Sequence, residues 1–258
     1  MCRMEIIIKP TAEDASLEAA AIFCRQLRDK PASVLGLATG STPERLYALL
    51  AADADFDASR AVTFNLDEYI GLPADHPQSY ATFMRRHFFD KIPVARWHIP
   101  DGMTADVPRC CADYEAAIRD AGGIDLQLLG LGSDGHIGFN EPTSSLASRT
   151  RIKTITARTV ADNARFFASP AEVPRHVITM GVGTILEARR CVVLAFGKSK
   201  VDAVAAVVEG PLTAMVPGSA LQLHPNTTLI VDEAAAAALQ QTDYYRWVYD
   251  NKPGWQRT

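Results

Sequence analysis

The chain has 258 residues, 48% of them hydrophobic and 22% charged, which is the make-up of a water-exposed globular protein with enough apolar residues for a large core. Lys and Arg number 26 against 30 Asp and Glu, a formal net charge of −4. No global positive field is therefore available to hold nucleic acid or an anionic membrane, although a few local donors can still bind a small anion. The five cysteines, Cys2, Cys24, Cys110, Cys111 and Cys191, include no CxxC pair and read as reduced, mostly buried thiols. The N-terminus MCRMEIIIKP lacks the apolar stretch of a signal peptide and no apolar run approaches a membrane span, so a cytoplasmic protein is expected.

In chain order, short aliphatic runs recur: IIIK near Glu5, SVLGLAT from Ser33, AVTFNLD from Ala61, IDLQLLGLG from Ile124, HVITMGV from His176, CVVLAFG from Cys191 and TLIVDE from Thr228. Strands that are apolar on both sides belong in a sheet covered on both faces. Between them PERLYALLA, SYATFMRRHFF, CCADYEAAIRDA, KVDAVAAVVEG and EAAAAALQQ carry apolar residues three and four apart, the spacing of amphipathic helices. The alternation predicts a Rossmann-like α/β fold, a mainly parallel sheet with helices on both faces. Because no linker, low-complexity block or repeat interrupts it, residues 1–258 are expected to form a single domain. The segment 141–158, poor in aliphatics and rich in hydroxyls and cations, is expected to be a surface excursion near a ligand site.

Three stretches carry chemistry. In LGLATGSTPERLYALL a buried strand runs into a helix start, with Thr42 expected as the cap and Pro43 in the first turn. The N–H groups around Gly40 to Thr42 and the hydroxyls of Thr39, Ser41 and Thr42 then form an anion cradle at a helix N-terminus. Neither the Walker pattern nor the GxGxxG fingerprint is present. In AVTFNLDEYIGL the adjacent carboxylates of Asp67 and Glu68 follow a strand, where open α/β sheets bind ligands; neighbours point in different directions, so one of the two is expected to face the site, and the spacing leaves open which. In LLGLGSDGHIGFNEP an apolar strand is followed by Asp134, His136 and Glu141 among three glycines, Gly132, Gly135 and Gly138. A histidine between carboxylates can give and take a proton near neutral pH, and the glycines are expected to fold Glu141 back toward the ring. No second His or Cys stands at metal-ligand spacing and no GxSxG elbow occurs, so neither a metal site nor a serine hydrolase is expected. Arg165 in NARFF, and Lys198 and Lys200 in FGKSK, are cations that could clamp a phosphate.

Together TGSTP, FNLDEYIGL and GLGSDGHIGFNEP, with SSLASRTRIKT, NARFF, GVGT and LQLHP, resemble the glucosamine-6-phosphate deaminase (isomerase) family over about Leu35 to Glu233. The resemblance implies conversion of glucosamine 6-phosphate to fructose 6-phosphate and ammonia without a cofactor. It further implies that Thr39, Gly40, Ser41, Thr42, Arg165 and Lys200 bind the 6-phosphate, that Asp67 moves a proton between C2 and C1, and that His136 opens the sugar ring with Asp134 and Glu141 as partners. Tyr80 falls where the family has an active-site tyrosine. Some family members are hexamers activated by N-acetylglucosamine 6-phosphate; Ser144, Ser145, Arg151, Lys153 and Thr154 match their effector stretch and Tyr245 a C-terminal tyrosine, so a homo-oligomer is expected if the chain is of that type. VPGSALQLHP is more similar to unregulated members, and the tail NKPGWQRT matches neither pattern. Two alternatives accompany this reading: lactone hydrolysis, because 6-phosphogluconolactonases share the Asp-Gly-His turn, and a sugar-phosphate sensor, which the lack of a basic DNA-binding extension disfavours. Galactosamine 6-phosphate is an open alternative as substrate.

Overall fold

The computed structural model describes residues 3–253; Cys2 and the end of the C-terminal tail lie outside the described residues. The chain alternates as expected: β1 (Arg3–Lys9), α1 (Ala12–Asp29), β2 (Val34–Leu37), α2 (Ser41–Ala52), β3 (Val62–Asn65), β4 (Asp67–Tyr69), α3 (Tyr80–Met84), β5 (Arg96–His98), α4 (Val107–Asp120) and β6 (Leu126–Gly130). There follow β7 (Arg151–Thr154), α5 (Ala157–Asn163), β8 (His176–Thr179), α6 (Val182–Leu186), β9 (Cys191–Ala195), α7 (Val201–Val208), β10 (Asn226–Asp232) and α8 (Thr242–Asp250). Helix starts obey the capping rules. Thr11 accepts the Asp14 N–H at 3.1 Å at the head of α1 and Asp106 that of Arg109 at 3.0 Å at the head of α4, each satisfying a donor that the helix leaves unpaired. The periodic apolar face of α1 (Ala15, Ala19, Ile22, Phe23) is buried in the main core, where truncating a side chain such as Phe23 to Ala costs about 3–5 kcal/mol.

A seven-stranded sheet in the order β1-β10-β9-β6-β2-β3-β5 is parallel throughout. From β2 the chain builds outward through β3 to β5, and from β6 it builds the other way through β9 to β10. The carboxyl ends of β2 and β6 therefore flank the point where the winding reverses, the place where such sheets leave a crevice.

Three expectations need correction. The run from His176 is not in this sheet: β8 forms a three-stranded antiparallel sheet in the order β4-β8-β7, with Asp67 opposite Thr179. The segment 141–158 is accordingly no simple excursion, since it contributes β7, whose residues alternate between half-buried and exposed. A half-covered strand needs apolar residues on one face at most, so low aliphatic content concealed it. EAAAAALQQ forms turns rather than a helix. The Asp232 carboxylate accepts the Ala235 N–H at 2.8 Å, Glu209 accepts the N–H groups of Gln240 and Gln241, and the turn Leu239 to Ala236 closes at three residues, so tertiary acceptors take the donors that an α-helix would use.

Cys24, Cys110, Cys111 and Cys191 are free thiols; burial pushes Cys24 and Cys111 up to about 11 and Cys191 to about 12, which keeps all three protonated. No helix among the described residues is long and apolar enough to cross a membrane.

Candidate active site

Four strand ends at the carboxyl edge of the main sheet, those of β2, β3, β6 and β9, open into one cavity of about 910 Å3. At the end of β2 the chain turns at Gly40, whose φ of 95° and ψ of 177° favour glycine, and α2 begins at once with Ser41. Gly40 is thus the cap, and the expected cap Thr42 lies inside the first turn. No side chain caps this helix, which leaves its leading N–H groups available to a ligand. Thr39, Gly40, Ser41 and Thr42 all line the cavity, and the buried Tyr47 hydroxyl pins the turn from below by donating to the Ala38 carbonyl at 2.6 Å.

After β3 the two adjacent carboxylates part company. Asp67 lines the cavity, is 5% exposed and makes no hydrogen bond or ion pair among the described residues. Burial, helped by the neighbouring Glu68 charge, pushes its carboxyl up to about 8. Glu68 turns away and accepts three backbone N–H groups, from Tyr69 at 2.8 Å, Tyr80 at 3.0 Å and Ala81 at 3.0 Å. It thereby ties β4 to the N-terminus of α3, while Ser79 caps the same helix by accepting from Thr82 at 3.0 Å. α3 continues into a π-helical turn, Arg85–Phe89, that places Arg86 and His87 on the cavity wall.

The loop after β6 closes on itself, with the Gly132 N–H donating to the His136 carbonyl at 2.8 Å. A Cβ at Gly132 would fall 2.3 Å from the imidazole Cε1, so only glycine lets the ring lie against this backbone. Asp134 Oδ1 stands 2.6 Å from His136 Nδ1 and also accepts the His136 N–H at 3.2 Å. The imidazole beside it holds the Asp134 carboxyl down at about 2, so it is ionised at any working pH and its contact with Nδ1 positions the ring, leaving Nε2 as the nitrogen for proton transfer. His136 lines the cavity.

Glu141 does not join this pair. Its carboxylate accepts the Thr156 N–H at 2.8 Å and the hydroxyls of Thr156 and Thr159, and it forms no ion pair with His136 among the described residues. Those donors head α5, so Glu141 satisfies a helix N-terminus as Glu68 does.

Of the expected cations, Arg165 and Lys200 both line the cavity; Arg165 follows α5 and its guanidinium lies 4.6 Å from the Phe166 ring centroid. Lys198 is exposed and does not line it. Tyr80 lines it too, its hydroxyl pushed well above the usual range by burial, with the Tyr69 ring 4.9 Å away. Tyr69 in turn accepts from Asn163 Nδ2 at 2.8 Å, which fastens α5 across the small sheet. The residues expected at an effector site lie on several elements. Ser144 is buried, Ser145 is exposed and Arg151, Lys153 and Thr154 lie on β7, whereas Tyr245 sits on α8, which packs on the edge strand β1, and donates to Glu209 at 2.9 Å.

Arg86, Arg158 and Ser199 are among the cavity residues not expected from the sequence. Ser199 had a signal: FGKSK repeats the strand–glycine–hydroxyl order of ATGST. Arg158 had none beyond its place in a stretch rich in cations.

Residues 10–230 match the family described as glucosamine-6-phosphate isomerases/6-phosphogluconolactonase. The chain is 54% identical to a glucosamine-6-phosphate deaminase of Pseudarthrobacter chlorophenolicus, over 98% of this chain and 99% of that one, and 54% identical to one of Streptomyces avermitilis over the same shares. A solved structure of a monomeric glucosamine-6-phosphate deaminase superposes with a TM-score of 0.89 at 41% identity, covering 91% of this chain and 100% of that one. The 6-phosphogluconolactonase of Trypanosoma brucei shares the fold, with a TM-score of 0.74 at 22% identity over 93% of this chain and 100% of that one. With matched residues running from the start of α1 into β10, the chain belongs to the glucosamine-6-phosphate isomerase/6-phosphogluconolactonase family.

Proposed function

We infer that the chain is a glucosamine-6-phosphate deaminase, which converts glucosamine 6-phosphate and water to fructose 6-phosphate and ammonia. Full-length similarity at 54% identity to proteins of that name supports the reading. The observation that carries it is the cavity, which holds together an uncapped helix start, cations that include Arg165 and Lys200, a buried carboxylate whose side chain has no partner among the described residues, and an imidazole positioned by a carboxylate. The phosphate docks on the Thr39–Thr42 turn with Arg165 and Lys200, and this binding energy, remote from the reacting carbons, aligns C1 and C2. His136, oriented by Asp134, moves the proton between the 1-hydroxyl and the ring oxygen, which opens the pyranose. Ionised Asp67 then removes the C2 proton as the C1 carbonyl oxygen takes up a proton, and returns its proton to C1 as the amino nitrogen gives one up, leaving a hydroxyl at C1 and an imine at C2. Water adds to that carbon and ammonia departs. Glu141 and Glu68 act one step back, by holding α5 and α3, which carry or precede Arg165 and Tyr80.

The carboxyl of Asp67 suits this task because its proton affinity, raised by burial, makes it a better base once ionised than an ordinary aspartate. Lactone hydrolysis needs no C2 base, so the placement of Asp67 favours the deaminase reading. The residues given roles here all come from one chain, and we propose that activity requires neither an oligomer nor N-acetylglucosamine 6-phosphate. Purified protein incubated with glucosamine 6-phosphate is expected to release ammonia and fructose 6-phosphate in equal amounts. A folded sample that releases neither overturns the reading, and the same assay with galactosamine 6-phosphate decides the epimer.

A further inference from the structure

At the end of β9 the chain makes a second glycine turn. Gly197 has φ 81° and ψ 165°, close to the values at Gly40, and it heads a short 3-10 turn, Lys198–Lys200, that runs directly into α7. This turn delivers Ser199 and Lys200 to the cavity. No side chain within the turn caps it. What fixes it comes from the neighbouring strand: both carboxylate oxygens of Asp232, the last residue of β10, accept the Gly197 N–H at 3.0 Å, and Oδ1 also accepts the Ala235 N–H at 2.8 Å. Asp232 is 9% exposed, so these bonds form in surroundings where water competes poorly for either partner.

We propose that Asp232 is the positioning residue of the phosphate clamp: by holding the Gly197 N–H it sets the β9–α7 turn so that Ser199 and Lys200 face the substrate phosphate. The inference rests on the proposed deaminase reading for the identity of the phosphate-bearing substrate. It adds to that reading a residue that touches no substrate. The chemistry is that of a charge-assisted hydrogen bond at a hinge. The carboxylate accepts two N–H groups from two successive turns, one leading into α7 and one leaving β10, and so locks the connection after β9 to the adjacent strand. Asn at this position keeps one acceptor oxygen, which can take both N–H groups as Oδ1 does here, but without the negative charge and with an NH2 group in place of the second acceptor; Ala holds neither. The two variants therefore form a graded series.

The test uses the intact protein and two readouts. Steady-state kinetics with glucosamine 6-phosphate are expected to show KM raised about tenfold in Asp232→Ala and about threefold in Asp232→Asn, with kcat within about twofold of the parent in both. Protection of the fold by inorganic phosphate, read as the phosphate concentration needed for a given rise in Tm, is expected to weaken by the same factors. Because a shared turn makes the effects non-additive, Asp232→Ala combined with Lys200→Ala is expected to be little worse than Lys200→Ala alone. Should Asp232→Ala fail to fold, Asp232→Asn carries the same comparison. KM and phosphate protection unchanged within twofold in a folded variant, or a kcat loss with KM unaffected, overturns the proposal. If the parent protein turns over no amino sugar phosphate while phosphate protection still depends on Asp232, the deaminase reading fails and the positioning role stands.

Discussion

The two ends of the cavity are built by opposite means. The anion end consists of two turns of nearly equal conformation, at Gly40 and Gly197, placed by the parallel strands β2 and β9 on either side of β6. Its donors are backbone N–H groups, hydroxyls and cations, presented by strand ends and turns that a contact such as Asp232 to Gly197 holds in place. At the proton-transfer end, Asp67 and the Asp134–His136 pair owe their properties to burial and to each other: one carboxyl is driven up to about 8 and the other down to about 2. The anion end is thus made of strand ends and turns, whereas the raised carboxyl of Asp67 depends on its burial at the start of β4 in the second sheet. Binding and chemistry should consequently separate under mutation.

The largest separation is expected at Asp67. Asp67→Asn should lower kcat at least about a thousandfold with KM within a few-fold, because it removes the base and leaves the phosphate turns intact; a KM effect in place of a kcat effect would break the division. The same variant sharpens it through stability. With its carboxyl raised in the fold, Asp67 favours the native state most at low pH and progressively less as pH rises from about 4 to about 8. Asn does not titrate, so its advantage over the parent should appear above about pH 4 and level off above about pH 8, at on the order of 5 kcal/mol by thermal melts. For the parent enzyme kcat/KM should climb with pH through the same raised value, since the base must be ionised.

Next in size, Asp134→Asn should reduce kcat by about a hundredfold, as the imidazole loses the partner that fixes its tautomer, with phosphate protection unchanged. At the anion end Arg165→Ala should raise KM about tenfold and leave kcat within about threefold, measured by the ammonia assay. The smallest effects belong to the turns themselves. Gly40→Ala and Gly197→Ala meet no atom within 4 Å of the new Cβ, so each should cost only the conformational penalty, about 1–2 kcal/mol in a melt, with KM up a few-fold. Two equal penalties would sharpen the likeness of the turns.

The reading of the sequence succeeded where a property is periodic or local. Fully buried strands such as Cys191–Ala195 announce themselves as unbroken aliphatic runs, and the strand–glycine–hydroxyl order at Thr39–Thr42 marks a strand-to-helix turn, which the structure places on the cavity wall. It failed where the partner lies far along the chain. Glu141 pairs with Thr156 and Thr159 rather than with the nearby histidine, because α5 offers it a helix start that local spacing does not reveal. The helix cap moved from Thr42 to Gly40 because the chain must turn sharply as it leaves β2.

From composition and pattern alone came an α/β protein with a mainly parallel sheet, a phosphate-suited turn and a histidine beside acids, since each is written in residues a few positions apart. Only the tertiary structure decided between Asp67 and Glu68, moved β8 into a separate sheet and brought Asp232 to Gly197. The physical reason is the same in each case: burial and hydrogen-bond partnership are set by what packs across a strand or against its end, and those neighbours are tens to hundreds of residues away in sequence.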